Sequence, residues 1–170
     1  MPLFEIVFRV NHDCTLGNIS KKFPTMKMFM WCNRDHEIIE VIVKSSKDYP
    51  AIVEELSRTV DVVEKSFDET KLHLITAKCK CTLENSVIKN IDATNLLHLS
   101  PVIYDKGWEY YRVIAFHHKD IERLFNVIER KNFEYEILSK LPFEGSIASS
   151  LAVTTDVLFS QLTEKQRRLC

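Results

Sequence analysis

Glycine is scarce, with three residues in a chain of 170. So few glycines make a Gly-rich phosphate cradle improbable, and no Gly/Ser-rich linker divides the chain before residue 140. A nucleophile elbow and a His-Glu-x-x-His pattern are also missing. Glu54, Glu55, Glu134 and Glu136 read as the solvated sides of a helix and a strand, so the sequence predicts a protein that is not an enzyme. Neither sign of charge dominates: 23 Lys and Arg stand against 24 Asp and Glu, a net charge of −1. That balance supplies no field that would by itself hold nucleic acid or an anionic membrane. No apolar run reaches the roughly 18 residues that span a bilayer, and MPLFEIVFRV lacks the basic flank and apolar core of a leader. A cytoplasmic protein with no membrane partner is expected. Five cysteines are an odd number in a chain large enough to have its own core, which argues against a secreted disulfide scaffold.

What is present is hydrophobic periodicity. Phe4, Ile6, Phe8 and Val10 alternate with Glu5, Val7 and Arg9 as one strand, apolar enough on both faces to favour burial on both sides. A helical turn over 16–22 stops at Phe23-Pro24. Strands follow over 26–31 and 38–43, then a helix with Asp48 as its cap, Pro50 in its first turn and Ile52, Val53 and Leu56 as its stripe. A strand over 61–67 completes the series. The order then recurs: a strand over 72–81, a helix capped by Asn85, strands over 102–104 and 110–116 around the turn Asp105-Lys106-Gly107, a helix capped by Asp120, and a strand over 133–141.

Strand, helix, strand, strand, helix, strand is the split βαβ order. The predicted fold class is α+β: two tandem ferredoxin-like βαββαβ units, residues 1–70 and 71–141, joined edge to edge or packed face to face. Residues 142–170 read as a partly helical connector, with Ile147, Leu151, Leu158 and Leu162 on a thin apolar stripe.

The chain closes on "LTEKQRRLC", where Thr163 and Gln166 have capping-box spacing. This phrase resembles the opening of the DNA-binding domain in bacterio-opsin-activator-like (Bat-type) archaeal helix-turn-helix transcription regulators. Leu162, Thr163 and Gln166 match the family's Leu-Thr-x-x-Gln, and "SPVIYDKGWEYYRVIAF" matches its preceding region in outline. The resemblance implies a regulatory region cut off inside the first helix of that domain, with DNA reached through a missing C-terminal part.

Tandem ferredoxin-like units also resemble the amino-acid-binding ACT-type modules, whose ligands sit where the first strand turns into the first helix. That likeness implies a small-molecule effector site at Asn11, His12, Asp13 and Gly17. A thiol-based metal or redox sensor is the other option, through Cys14, Cys32, Cys79 and Cys81 with His12 and His36 nearby. Thiolate and imidazole bind soft metals where three or four converge, although free cysteines are more often plain core residues. No other cofactor is expected. The aromatic residues Trp108, Tyr110 and Tyr111, and Phe29 with Trp31 opposite Met26, Met28 and Met30, offer a face that a second copy would cover, so a homodimer is expected.

Overall fold

In the computed structural model, residues 3–32, 36–67, 71–77, 81–99 and 101–143 are described. Among the described residues the alternating stretches form nine strands: β1 (Phe4–Asn11), β2 (Lys27–Cys32), β3 (His36–Ile42), β4 (Val62–Phe67), β5 (Lys71–Ala77), β6 (Leu96–His98), β7 (Val102–Asp105), β8 (Trp108–Ala115) and β9 (Glu134–Pro142). The stretches of helical period form α1 (Thr15–Lys22), α2 (Tyr49–Thr59), α3 (Val87–Asp92) and α4 (His118–Arg130). No helix among the described residues is long and apolar enough to cross a membrane. Of the expected connector, Pro142 ends β9 and Phe143 follows it; the rest, with the phrase at Leu162, Thr163 and Gln166, lies outside the described residues, as does Cys79.

All nine strands join one antiparallel sheet in the order β4-β5-β3-β2-β7-β8-β1-β9, with β6 also on β8. A unit assembled from its own consecutive strands would set β1 between β3 and β4. Instead β1 lies between β8 and β9, pairing Phe8 with Tyr111 and Ile137. β5 lies between β3 and β4, in the place β1 would take. The expectation of two self-contained consecutive units is corrected at these two strands. The reason is physical: alternation fixes which face a residue occupies, not which strand lies beside it. The two groups of four strands meet edge to edge through β2 and β7, where Phe29 opposes Ile103.

Helices pack against one face. Phe8, Met26, Met28, Ile39, Ile52, Leu56, Ile91 and Val102 are all fully excluded from water there. Phe8 stacks on Tyr111 at 5.4 Å and meets Phe125 edge-on at 5.2 Å. Against the expected burial on both sides of β1, residues Glu5, Val7 and Arg9 on its other face stay half-buried.

Helix starts differ in detail from the expectation. Ser86, not Asn85, caps α3, its hydroxyl accepting from the Lys89 N–H, while Asn85 Oδ1 accepts from Thr82 N–H at 2.7 Å. Asp48 makes no cap bond at α2. Asp120 sits inside the first turn of α4, buried, rather than ahead of it. The β7–β8 hairpin turns on Lys106 and Gly107, both at positive φ (53° and 88°), the backbone of a type I′ turn. The Gly107 N–H donates to Ser20 Oγ at 2.8 Å, and that hydroxyl donates to the Gly17 carbonyl at 2.8 Å. The hairpin is thereby bolted to α1.

Candidate functional site

Where β1 gives way to α1, the chain puts a polar cluster beneath the helices. The ring of His12 stacks on Phe133, with centroids 4.2 Å apart. Cys14 has extended backbone and caps α1, its sulfur accepting from the Gly17 N–H at 3.1 Å. A thiol takes the role that Ser, Thr, Asp or Asn usually fills. Gly17 serves through its size: a Cβ there would lie 2.9 Å from Cys14 Sγ.

From β8, Glu109 reaches into the same space. It is in phase with Tyr111 and Val113, so strand geometry forces a carboxylate inward, and it is only 2% exposed. Its Oε1 accepts from Cys14 Sγ at 2.5 Å and lies 3.1 Å from His12 Nε2, while its Oε2 accepts the Tyr111 hydroxyl. The His12 nitrogen lies beside the carboxylate but is not aligned to hydrogen-bond it, and among the described residues no other group satisfies it. Imidazole, thiol and carboxylate thus converge, with one ligand atom of each within 4.8 Å of the others.

Around this trio lies a cavity of about 290 Å³. Tyr104 from β7, Glu37 from β3 and Cys81, ahead of α3, complete its inner wall; Asp13, Thr15, Asn18, Asp61 and Asn85 stand toward its rim. Cys81 Sγ is 3.6 Å from Glu37 Oε1. Burial, reinforced by the charge of Glu109, pushes the Cys14 thiol far above its ordinary range. The phenols of Tyr104 and Tyr111 are raised well above theirs by burial and then by Glu109. These shifts keep thiol and phenols protonated, so Cys14 is not an activated nucleophile. Its environment suits a neutral donor, or a thiolate balanced by a cation.

The model of the family described as HVO_A0563, N-terminal, matches residues 5–153. The chain belongs to this archaeal family. No curated protein matches it. The matched stretch of the HVO_A0563 N-terminal domain runs from the second residue of β1 through β9 and includes every residue that lines the cavity. It stops short of Leu162, Thr163 and Gln166.

Of the residues singled out in the sequence, His12, Asp13, Cys14 and Cys81 line the cavity, and Gly17 supports it through its N–H. Asn11 is the last residue of β1, opposite Glu134, and is not among the lining residues. Cys32 ends β2 and packs half-buried against the core, outside the lining. His36 is exposed. Glu109, Glu37 and Tyr104 were missed, and Tyr111, expected on a face for a second copy, lies 2% exposed on the helix-covered side instead. The signal for the two acids was there: Glu109 keeps the alternation of Tyr111 and Val113, and Glu37 that of Ile39 and Val41. A carboxylate in phase with a core stripe is costly to bury and needs a partner.

Proposed function

We propose that this chain is the sensing region of an archaeal transcription regulator, which takes an effector in the cavity beside His12, Cys14 and Glu109 and relays its binding to a helix-turn-helix DNA-binding domain. The family is described as an N-terminal region, which fits a front part serving something behind it. The Leu162, Thr163 and Gln166 phrase supplies the kind of partner domain.

In this reading each group of four strands is a ferredoxin-like half, and the halves have exchanged their first strands. The single observation that carries it is the composition of the cavity wall. Residues of β3 and β7, of the turn after β1 and of the segment before α3 all face one space, so whatever binds there touches both groups of strands. Such a ligand can favour one mutual arrangement of the halves over another, and a switch needs that differential affinity.

The test uses the natural full-length protein. Its preferred DNA is selected from a random pool, and DNA affinity is then measured for the wild type and for Thr15→Trp, which projects a ring from the rim into the cavity. A change of roughly tenfold in affinity, about 1.4 kcal/mol of coupling, is expected between the two proteins. Unchanged affinity, or a reading frame without any DNA-binding domain, sinks the proposal.

A homodimer is the second element of this reading, favoured by the sheet face that the described residues leave open, where Ile38 is 47% exposed. Paired sensing regions would hold two recognition helices at fixed spacing.

A further inference from the structure

The cavity contains a donor set that the sensing reading does not by itself explain. Three different ligand types, two from the turn after β1 and one from β8, point at one place: His12 Nε2, Cys14 Sγ and Glu109 Oε1. The His12 and Glu109 side chains are only 2% and 3% exposed. A histidine nitrogen buried to this degree, aimed into a cavity and without a hydrogen-bond partner among the described residues, costs free energy in every state in which it stays unsatisfied. The buried carboxylate facing it accepts from Cys14 and from Tyr111.

We propose that His12, Cys14 and Glu109 bind one divalent transition-metal cation of the zinc class, with the fourth coordination position facing the cavity. The inference rests on the sensing reading only for its meaning in the cell; the site itself is argued from the residues. Charge supports it first. A thiolate and a carboxylate carry two negative charges, the imidazole is neutral, and a dication makes the set neutral overall, which is what a dry site requires. Donor type comes second. One sulfur, one nitrogen and one oxygen select a borderline-soft ion such as zinc, whereas calcium and magnesium take all-oxygen shells.

Spacing comes third. Ligand atoms about 2.0–2.3 Å from a tetrahedral zinc lie roughly 3.5 Å from one another. The observed separations of 2.5 and 3.1 Å from Glu109 Oε1 need only a small opening, and the cavity alongside leaves room for it. Supporting groups are already in place. The Tyr111 hydroxyl holds Glu109 Oε2, the Gly17 N–H holds the sulfur, and Phe133 fixes the plane of His12; such partners orient ligands and tune affinity. On binding, the Cys14 thiol gives its proton to solvent through the cavity mouth, and the sulfur lone pair forms the bond to the metal. Three protein ligands with an open fourth position leave the ion able to accept a donor atom from an effector, as exchangeable zinc sites do.

Cobalt(II) is the probe, because its bond to a thiolate gives a charge-transfer absorption that zinc lacks. The purified 170-residue chain is titrated with cobalt chloride under reducing conditions. One cobalt per chain, a sulfur-to-cobalt band and its displacement by zinc are expected. Cys14→Ser abolishes the band; because serine is a better helix cap than cysteine, this variant keeps its fold, and circular dichroism verifies it. Glu109→Gln and His12→Gln each weaken cobalt binding at least tenfold. No band in the wild type at tenfold excess of cobalt overturns the proposal, and so does a band of full strength in Cys14→Ser. The readout involves no DNA, so the two ideas fail separately: cobalt bound at the site with no effect of zinc on DNA affinity of the full-length protein removes the sensing role and leaves the metal site.

Discussion

One sheet presents two very different faces. The helix-covered face is dry, with Phe8, Met28, Ile39 and Val102 at 0% exposure. The opposite face carries Phe29, Trp31, Ile103, Trp108 and Tyr110, all half-buried, and laces them with charge. Arg112 makes a two-pronged bond to Glu5, both prongs 2.8 Å. Arg9 lies 4.2 Å over the Trp108 ring and pairs with Glu136, and Lys27 stands 3.4 Å from Asp105. Apolar content is therefore not what separates the faces. Charge woven among aromatics lets the open face tolerate water and still take a cover, whereas the covered face has no alternative to its helices.

The comparison breaks most directly at the largest side chains. Phe8→Ala empties a site between Tyr111 and Phe125 and is expected to cost about 3–5 kcal/mol. Phe29→Ala on the open face should cost about 1 kcal/mol, since little apolar area there leaves water. Urea unfolding of both variants measures the difference, and equal losses would mean that the open face is also part of the core.

Faces, strands and helices were legible in the residues because alternation and helical period are local. The exchange of β1 and β5 was not, because Ile6, Phe8 and Val10 would satisfy the neighbours β3 and β4 as well as they satisfy β8 and β9. Only the whole sheet chooses. The site was half legible in the same sense. His12, Asp13 and Cys14 cluster in sequence, so a turn rich in donors could be marked there. Glu109 comes from a position 95 residues after Cys14, and its meaning depends on which strand lies opposite. Cysteine as a helix cap offered no signal, since it is outside the usual capping set.

A second contrast is between buried groups with partners and those without. His98 is largely buried near Tyr111, with its Nε2 unsatisfied. Burial lowers its pKa below the ordinary value, against a weaker opposing pull from Asp92. The folded state thus binds a proton less readily than the unfolded chain. The contribution is complete above the unfolded pKa of about 6.5 and is lost as pH falls below it. Stability measured from pH 7.5 to 5 should decline in the wild type, and the decline should be shallower in His98→Gln, which cannot titrate. Identical slopes would place the acid sensitivity elsewhere.

The smallest expected effect on stability sharpens the comparison of faces most. Ile38 is 47% exposed, opposite Trp31 in the neighbouring strand. Ile38→Asp removes little buried area from the single chain, so its unfolding free energy should move by less than about 1 kcal/mol. If a second copy covers this face, the same substitution places a carboxylate in an apolar interface, where an unpaired charge is strongly unfavourable. Sedimentation at micromolar concentration should then show a wild-type dimer and a folded variant monomer. A wild-type monomer across the same range would show that the open face is left to water, and that its charges alone are enough to keep it there.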